Sequence, residues 1–166
     1  MAFAITGVLG ILACWKYGDW RHWRQYYPTI LYVLIGDFVS DFLLCNKPLF
    51  SFGDFVQQRP VLDIAIMMLL YPCTVILYLS FYPNTLKKRI LYILLWTGIF
   101  IAIEIVALLT GGCSYYNGWN IWYSVLLDLI MFTMLALHYE KPLLVWPISA
   151  ALAFLVLWWF RIPLMA

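Results

Sequence analysis

The sequence predicts an all-α membrane protein that folds as a single bundle of about six transmembrane helices. Of its 166 residues, 66% are hydrophobic and only 11% are charged, whereas a soluble domain carries about 25% charged residues. Because so few charges cannot cover a surface that faces water, we expect the lipid bilayer to be the main partner of the chain. Six apolar segments fill almost the whole sequence, so residues 1–166 are predicted to form one polytopic transmembrane domain.

The predicted helices follow from the length that a bilayer requires, roughly 20 mostly apolar residues to cross about 30 Å of hydrocarbon. They cover residues 2–16, 28–46, 61–82, 90–110, 120–138 and 143–162. The first segment is short and has no basic region before it, which favours a reversed N-terminal anchor over a cleaved signal peptide. Pro28 and Pro142 stand where a helix is predicted to begin, and Pro72 is expected to kink the third helix.

Lysine and arginine are distributed unequally between the two sides of the predicted bundle. If the N-terminus is outside, the cytoplasmic connections hold seven: Lys16, Arg21, Arg24, Lys87, Lys88, Arg89 and Lys141. The opposite side holds three: Lys47, Arg59 and Arg161. Because cytoplasmic loops are enriched in these residues, we expect a multi-pass protein with both termini outside.

Five acidic residues lie inside or beside the predicted helices. Asp37, Asp41, Glu104 and Asp128 fall within them, and Asp63 stands at the outer start of the third helix. Each acid at mid-membrane costs about 2.5–3.5 kcal/mol on insertion scales, so intramembrane acids usually have a partner or a task. At 1.5 Å per residue, three of them share a layer roughly 9–12 Å beneath the outer face, with Asp37 about one turn deeper.

This acidic layer predicts a site for a cation or a proton, with a bound cation as the expected ligand. Two structural interpretations remain open beside it. The acids can be protonated and hydrogen-bonded in a neutral network. Alternatively, Arg161, which should reach the outer end of the sixth helix, can serve as an internal counter-ion for Asp63, Asp41 or Glu104.

The histidines and cysteines do not form a recognisable metal or redox motif. His22 and His138 are predicted near the cytoplasmic surface, far from the acids, and His138 is interpreted as part of a helix end. The four cysteines show no CxxC pairing, and we interpret them as free buried thiols. The alternative is a disulfide between Cys45 and Cys113, because both are predicted near the outer side.

Enzyme motifs are weak. Asp37 and Asp41 resemble a fragment of the acidic pairs that hold magnesium in membrane prenyl transferases, but no second acidic motif accompanies them. The glycine that an intramembrane aspartyl protease motif requires two residues before Gly36 is replaced by Leu34. No Ser-His-Asp set, phosphate loop or basic patch for nucleic acid is visible, so no nucleic-acid partner is expected.

Several stretches resemble a group of known proteins. WKYGDWRHWRQYYPTILYVLIGDF, residues 15–38, and YNGWNIWYS with LHYEKPLL, within residues 116–144, are similar to an uncharacterised family of small polytopic membrane proteins from spore-forming Gram-positive bacteria. The resemblance spans the chain and includes Asp37, Glu104 and the NGWN turn. It implies a bacterial plasma-membrane location and suggests a role in sporulation or germination, but it implies no activity.

The leading interpretation is a small transporter or binding subunit that handles a cation or a positively charged solute. The acids would bind this solute or carry coupling protons, and the small size favours a homo-oligomer or a separate membrane partner subunit. A second interpretation, less favoured, is an intramembrane metal-dependent enzyme that acts on lipid with the same acids. A third is a non-catalytic assembly factor, in which the polar residues serve helix packing.

Overall fold

The computed structural model describes residues 2–51 and 60–163, with side chains from residue 7 to 51 and from 68 to 163. Within these ranges the chain forms six α-helices, one turn of 3-10 helix and two short strands. The helices are α1 (Ala2–Tyr17), α2 (Trp23–Leu44), α3 (Pro60–Ser80), α4 (Leu86–Leu109), α5 (Ile121–Glu140) and α6 (Pro142–Trp159). The 3-10 turn is Trp20–His22, and the strands are β1 (Phe50–Ser51) and β2 (Ser114–Tyr115).

Each predicted helix is present, and its ends lie within four residues of the prediction except at the start of α2. The prediction that this helix begins at Pro28 is wrong, because α2 begins at Trp23 and Pro28 lies inside it. A proline there removes the amide that would bond the carbonyl of Arg24, but Arg24 is exposed, so water can replace that donor. Pro142 begins α6 and Pro72 lies inside α3, as predicted.

Among the described residues, four helices are long and apolar enough to cross a membrane, judged by length and composition. They are Trp20–Leu44, Leu86–Leu109, Ile121–Glu140 and Pro142–Trp159. The described parts of α1 and α3 contain shorter apolar helices, Gly7–Tyr17 and Met68–Ser80. These apolar helices support a membrane protein, as the composition predicts.

Strands β1 and β2 join two connections at one end of the bundle, which we call the sheet end. The strands pair in antiparallel register, with Phe50 opposite Tyr115 and Ser51 opposite Ser114. Beyond the strands, the side-chain amide of Asn117 donates to the carbonyl of Pro48 at 2.6 Å. The segment after α2 is therefore tied to the segment after α4, so that both lie over the same helix ends.

The other end of the bundle, which we call the opposite end, is held by polar contacts between helix ends. Arg89, at the start of α4, forms a 2.8 Å ion pair with Glu140, the last residue of α5. Asp19, after α1, donates its backbone amide to the Ser80 hydroxyl at the end of α3 at 3.0 Å. These contacts place the ends of α1, α3 and α5 and the start of α4 at the same end of the bundle, as expected when consecutive helices run in alternating directions.

The core between α3, α4 and α5 is aromatic. Tyr78 and Phe132 are fully buried with ring centroids 5.1 Å apart, and Trp96 and Phe100 pack against Phe132. The Tyr78 hydroxyl donates to the carbonyl of Phe132 at 2.9 Å, so its buried polar atom is satisfied. This core fixes α4 against α5, the two helices that carry the acids described next.

Candidate functional site

Glu104, in α4, is the one buried carboxylate among the described side chains, with 8% of the residue exposed. It stands five residues before the end of the helix at Leu109, which corresponds to about 8 Å from the sheet end. Its neighbours one turn away on the same face are Phe100 and Ala107, both apolar and at least half-buried. The sequence thus buries a carboxyl group on a mostly apolar helix face.

Two hydroxyl groups converge on one oxygen of Glu104. The Tyr115 hydroxyl, from β2, and the Ser124 hydroxyl, from the first turn of α5, each donate to Oε1 at 2.7 Å. Ser124 in turn accepts a bond from the Trp119 indole nitrogen at 2.9 Å. The two bonds of 2.7 Å have the usual length for hydroxyl donors, and they satisfy one oxygen of the buried Glu104.

Asp128 provides the second acid of this site. It lies one turn after Ser124 on α5, is partly buried, and is within electrostatic range of Glu104. Helices α4 and α5 pack directly on each other, which accounts for the approach of the two side chains. Two like charges in such a medium disfavour each other's ionisation unless a positive charge lies with them.

A second acidic pair lies on α2. Asp37 accepts a 2.8 Å hydrogen bond from the Tyr71 hydroxyl of α3 through Oδ1, while its Oδ2 is buried with no hydrogen-bond partner in the described part of the chain. Asp41, one turn later, is exposed and within electrostatic range of Asp37. A buried carboxyl oxygen without a donor is costly, so this position suits a proton or a cation.

The predicted layer of acids is therefore divided into two pairs, one between α4 and α5 and one on α2 beside α3. At 1.5 Å per residue, Asp128 and Asp37 both lie about 10 Å from the helix ends at the sheet end, and Asp41 lies about 5 Å from it. Asp41 is shallower than predicted because α2 ends at Leu44. All four acids nevertheless occupy the half of the bundle next to the sheet end.

Of the remaining two predicted site residues, one lies outside the described side chains and the other is not part of either pair. Asp63 belongs to α3, but its side chain falls outside the described side chains. Arg161 is exposed after the end of α6 rather than inside the bundle. The ion pairs found among the described residues both lie at the opposite end, so in that part of the chain no basic side chain neutralises Glu104, Asp128 or Asp37.

Glu104 also acts on two loop residues just beyond the helices. Burial, and secondly the Glu104 charge, raises the pKa of the Cys113 thiol to about 11. Burial and the hydrogen bond to Glu104 raise the pKa of Tyr115 as well. Both groups therefore stay protonated at neutral pH, which keeps Tyr115 a hydrogen-bond donor to Glu104.

The ligands that the site offers are oxygens. Carboxylates of Glu104 and Asp128, with the hydroxyls of Ser124 and Tyr115, suit a proton or a hard cation rather than a soft metal. The described side chains contain no group of three or more His, Cys, Asp or Glu that could hold a metal ion. The arrangement therefore offers two carboxyl groups that can exchange a proton and oxygen atoms of the type that hard cations prefer.

His138 lies in a buried polar cluster that sequence reasoning missed. Its position in the last turn of α5 agrees with the predicted helix end, but the residue is only 3% exposed. Nδ1 lies 3.0 Å from the Thr29 hydroxyl, and the ring stacks on Tyr32 with centroids 4.4 Å apart. The available signal was the spacing of Thr29 and Tyr32, which share a face of α2.

All four cysteines are free. The alternative disulfide between Cys45 and Cys113 is not formed: Cys45 is exposed, whereas Cys113 is buried. Cys14 and Cys73 are buried, as the interpretation as small hydrophobic residues expects, and their thiols interact across the contact between α1 and α3.

No protein-family model matches the chain, and comparisons with curated proteins and with solved structures return no significant match. The candidate site is therefore interpreted from its own chemistry. It consists of two neighbouring acids, Glu104 and Asp128, with Tyr115 and Ser124 as hydrogen-bond donors to the buried one.

Proposed function

We propose that this is a multi-pass protein of a bacterial plasma membrane that binds a proton or a small cation at Glu104 and Asp128 and moves it across the bilayer. One observation carries the proposal. Glu104 is buried, a second acid lies within electrostatic range of it, and no ion pair among the described residues neutralises either. An acid in such a position inside a membrane bundle is by default a candidate for transport or proton transfer.

The apolar helices support the membrane part of the proposal. In it, all six helices cross the bilayer, including α1 and α3, which contain the shorter apolar stretches. The sheet end faces outward, because the sequence has three Lys and Arg residues in the connections of that side and seven on the other. Both termini are then outside, and the site lies near the outer face.

Electrostatics support a bound positive species. A second negative charge near Glu104 is disfavoured in a low-dielectric bundle, so the pair is expected to share a proton or to hold a cation. Tyr115 and Ser124 stabilise the charge that remains on Glu104 through bonds of 2.7 Å. Release of the proton or cation then costs less than it would from an isolated buried acid.

The α2 pair supports a second position for the same species. Asp41 is exposed near the sheet end, and the buried Oδ2 of Asp37 has no donor among the described residues. A proton or cation that enters beside Asp41 would therefore meet an acceptor one helical turn deeper. A homo-oligomer or a membrane partner subunit belongs to the proposal, since a bundle of this size can serve as the binding subunit of a larger transporter.

Flux measurements on reconstituted protein test the proposal. The full chain is reconstituted into liposomes that contain a pH-sensitive dye, and proton flux is recorded under an imposed gradient, with Na⁺, K⁺ or Mg²⁺ outside in separate runs. Wild type should carry flux, and Glu104→Gln and Asp128→Asn should reduce it at least tenfold. Each substitution keeps the size of the side chain and removes only its charge.

Glu140→Gln is the matched control, because it makes the same chemical change at an exposed glutamate of the opposite end. It should leave the flux unchanged. Equal flux in wild type and Glu104→Gln would overturn the assignment of the site. If wild type shows no flux with any of these cations, while Glu104→Gln is folded and as stable, the acids belong to a protonated structural network.

A further inference from the structure

The turn that ends α6 contains an arginine where a glycine is usual. The amide of Ile162 donates to the carbonyl of Leu157 at 2.9 Å, and the amide of Arg161 donates to that of Trp158 at 3.2 Å. These two bonds define a Schellman motif, whose first residue beyond the cap adopts the left-handed conformation. Arg161 has that conformation, with φ of 49°, although a side chain is sterically disfavoured there.

The same chain ends α4 with the same motif and uses glycine. Gly112 donates to the carbonyl of Ala107 at 2.7 Å, Gly111 donates to that of Leu108 at 3.2 Å, and Gly111 has φ of 71°. Glycine therefore serves where only the turn is needed. Arg161 forms the equivalent turn at a steric cost, and such a cost at a surface position points to a task for the side chain.

A second cation lies at this turn. Lys47, after α2, donates from Nζ to the carbonyl of Phe160 at 2.7 Å and lies 3.5 Å from the carbonyl of Arg161. Beside it is a groove of about 600 Å³ at the end of α6. The groove is lined by Phe154, Leu157, Trp158, Trp159, Arg161 and Ile162.

The groove is apolar along its length and cationic at its end. Trp158 and Trp159 are 70% and 59% exposed, as expected of tryptophans at the boundary of a bilayer. Within the described residues, neither Lys47 nor Arg161 forms an ion pair, and the Arg161 guanidinium makes no hydrogen bond. The chemistry that complements this surface is an anionic phosphate attached to a hydrocarbon chain.

We propose that Arg161 and Lys47 bind the headgroup phosphate of an anionic phospholipid, with one acyl chain along the groove of α6. The planar guanidinium of Arg161 can hold two phosphate oxygens at once. Lys47 contributes a second charge, already anchored at the end of the helix. This site is separate from Glu104 and Asp128, and it does not depend on what those acids bind.

Lipid titration of the purified full chain tests the proposal. Phosphatidylglycerol or zwitterionic phosphatidylcholine is added to protein in neutral detergent, and the melting temperature is followed. Wild type should be stabilised more by phosphatidylglycerol. Arg161→Gln should weaken binding of that lipid about fivefold, the effect of one positive charge near an anionic surface, and should leave phosphatidylcholine binding unchanged.

Two further variants separate lipid binding from folding. Arg161→Gly should raise the melting temperature without lipid, because it relieves the left-handed backbone, and should still lose the preference for phosphatidylglycerol. Arg21→Gln, which removes an exposed charge at the opposite end, should keep that preference.

Three outcomes would overturn the proposal. The first is that wild type and Arg161→Gln show the same preference for the anionic lipid. Arg21→Gln can reduce the preference as much as Arg161→Gln, which would indicate attraction by net charge alone. Inorganic phosphate without lipid can produce the full stabilisation, which would make the ligand a free anion instead.

Discussion

The two ends of the bundle satisfy their buried polar groups in different ways. At the opposite end, the buried groups are neutral and paired within the protein: the His138 ring with Thr29, and the Tyr78 hydroxyl with the Phe132 carbonyl. Two charged pairs lie there, Arg89 with Glu140 and His22 with Asp19, and their side chains are at least partly exposed. Within the described residues, these buried groups of the opposite end are satisfied by partners inside the chain.

At the sheet end, the buried Glu104 and the partly buried Asp37 have hydroxyl groups as their hydrogen-bond partners. Glu104 is held by Tyr115 and Ser124, and Asp37 by Tyr71. Hydroxyls donate hydrogen bonds but cannot neutralise a charge, and among the described residues no ion pair neutralises Glu104 or Asp37. The opposite end is therefore held by contacts within the chain, whereas the sheet end contains the candidate site.

The largest expected effect on stability is at the aromatic core. Phe132→Ala should lower the free energy of unfolding by about 3–5 kcal/mol, because it leaves a cavity among Tyr78, Trp96 and Phe100. The loss is measured by comparing the free energy of unfolding of wild type and variant in mixed detergent. Phe42→Ala, at a site 64% exposed, should cost far less; equal losses would mean that the aromatic cluster does not form the core.

The next effect concerns thiol reactivity at the sheet end. With a pKa of about 11 instead of 9.0, Cys113 has about one hundredth of the thiolate of an ordinary cysteine at the same pH. Its maleimide labelling should therefore be at least a hundredfold slower than that of the exposed Cys45. The rates are measured between pH 7 and 10 on two variants, one that retains only Cys113 and one that retains only Cys45.

Glu104→Gln turns this measurement into a probe of charge. If Glu104 is anionic, removing its charge favours the Cys113 thiolate, lowers the pKa of Cys113 and speeds its labelling. The rate at Cys45 should not change. An unchanged pKa for Cys113 would contradict an anionic Glu104.

The smallest effect is expected at the opposite end, where His22 lies 2.7 Å from Asp19 on the surface. The hydrogen bond from His22 lowers the pKa of Asp19 in the folded protein. The pair therefore stabilises the fold at pH values above the pKa that this carboxyl has in the unfolded chain. The contribution is lost as the pH falls through the lower pKa of the folded state. Melting curves between pH 2 and 6 should show a small loss in wild type that Asp19→Asn lacks. Parallel curves would show that the pair does not contribute.

The sequence predicted the helices well because a bilayer demands long apolar segments, and the sequence divides into six of them with polar residues between. It failed at the start of α2, where Pro28 suggested a boundary. Proline is common at a helix start but does not require one. Because most of the residues just before Pro28 are exposed, the helix can begin five residues earlier, at Trp23. Thr29 and Tyr32, the partners of His138, lie within the predicted part of α2, and the buried cluster was missed because it depends on how α2 packs against α5.

The candidate site was predictable only in part. The acids and their approximate depth followed from spacing, since 1.5 Å per residue holds for any helix. The hydrogen-bond partners of Glu104 could not be predicted from spacing, because Tyr115 lies in a strand of two residues, which is too short to show a periodic pattern. The division into two pairs depends on helix rotation and on which helices pack together, which hydropathy alone does not determine.

The most direct test of the central claim is the thermal stability of detergent-purified protein across pH and with a panel of cations, in wild type and Glu104→Gln. A ligand that binds only the folded state at a hundred times its Kd stabilises by about 2.7 kcal/mol. The account predicts stabilisation of wild type by one cation or by a proton, absent in Glu104→Gln and retained in Glu140→Gln. No response in wild type, with Glu104→Gln equally or more stable, would contradict it.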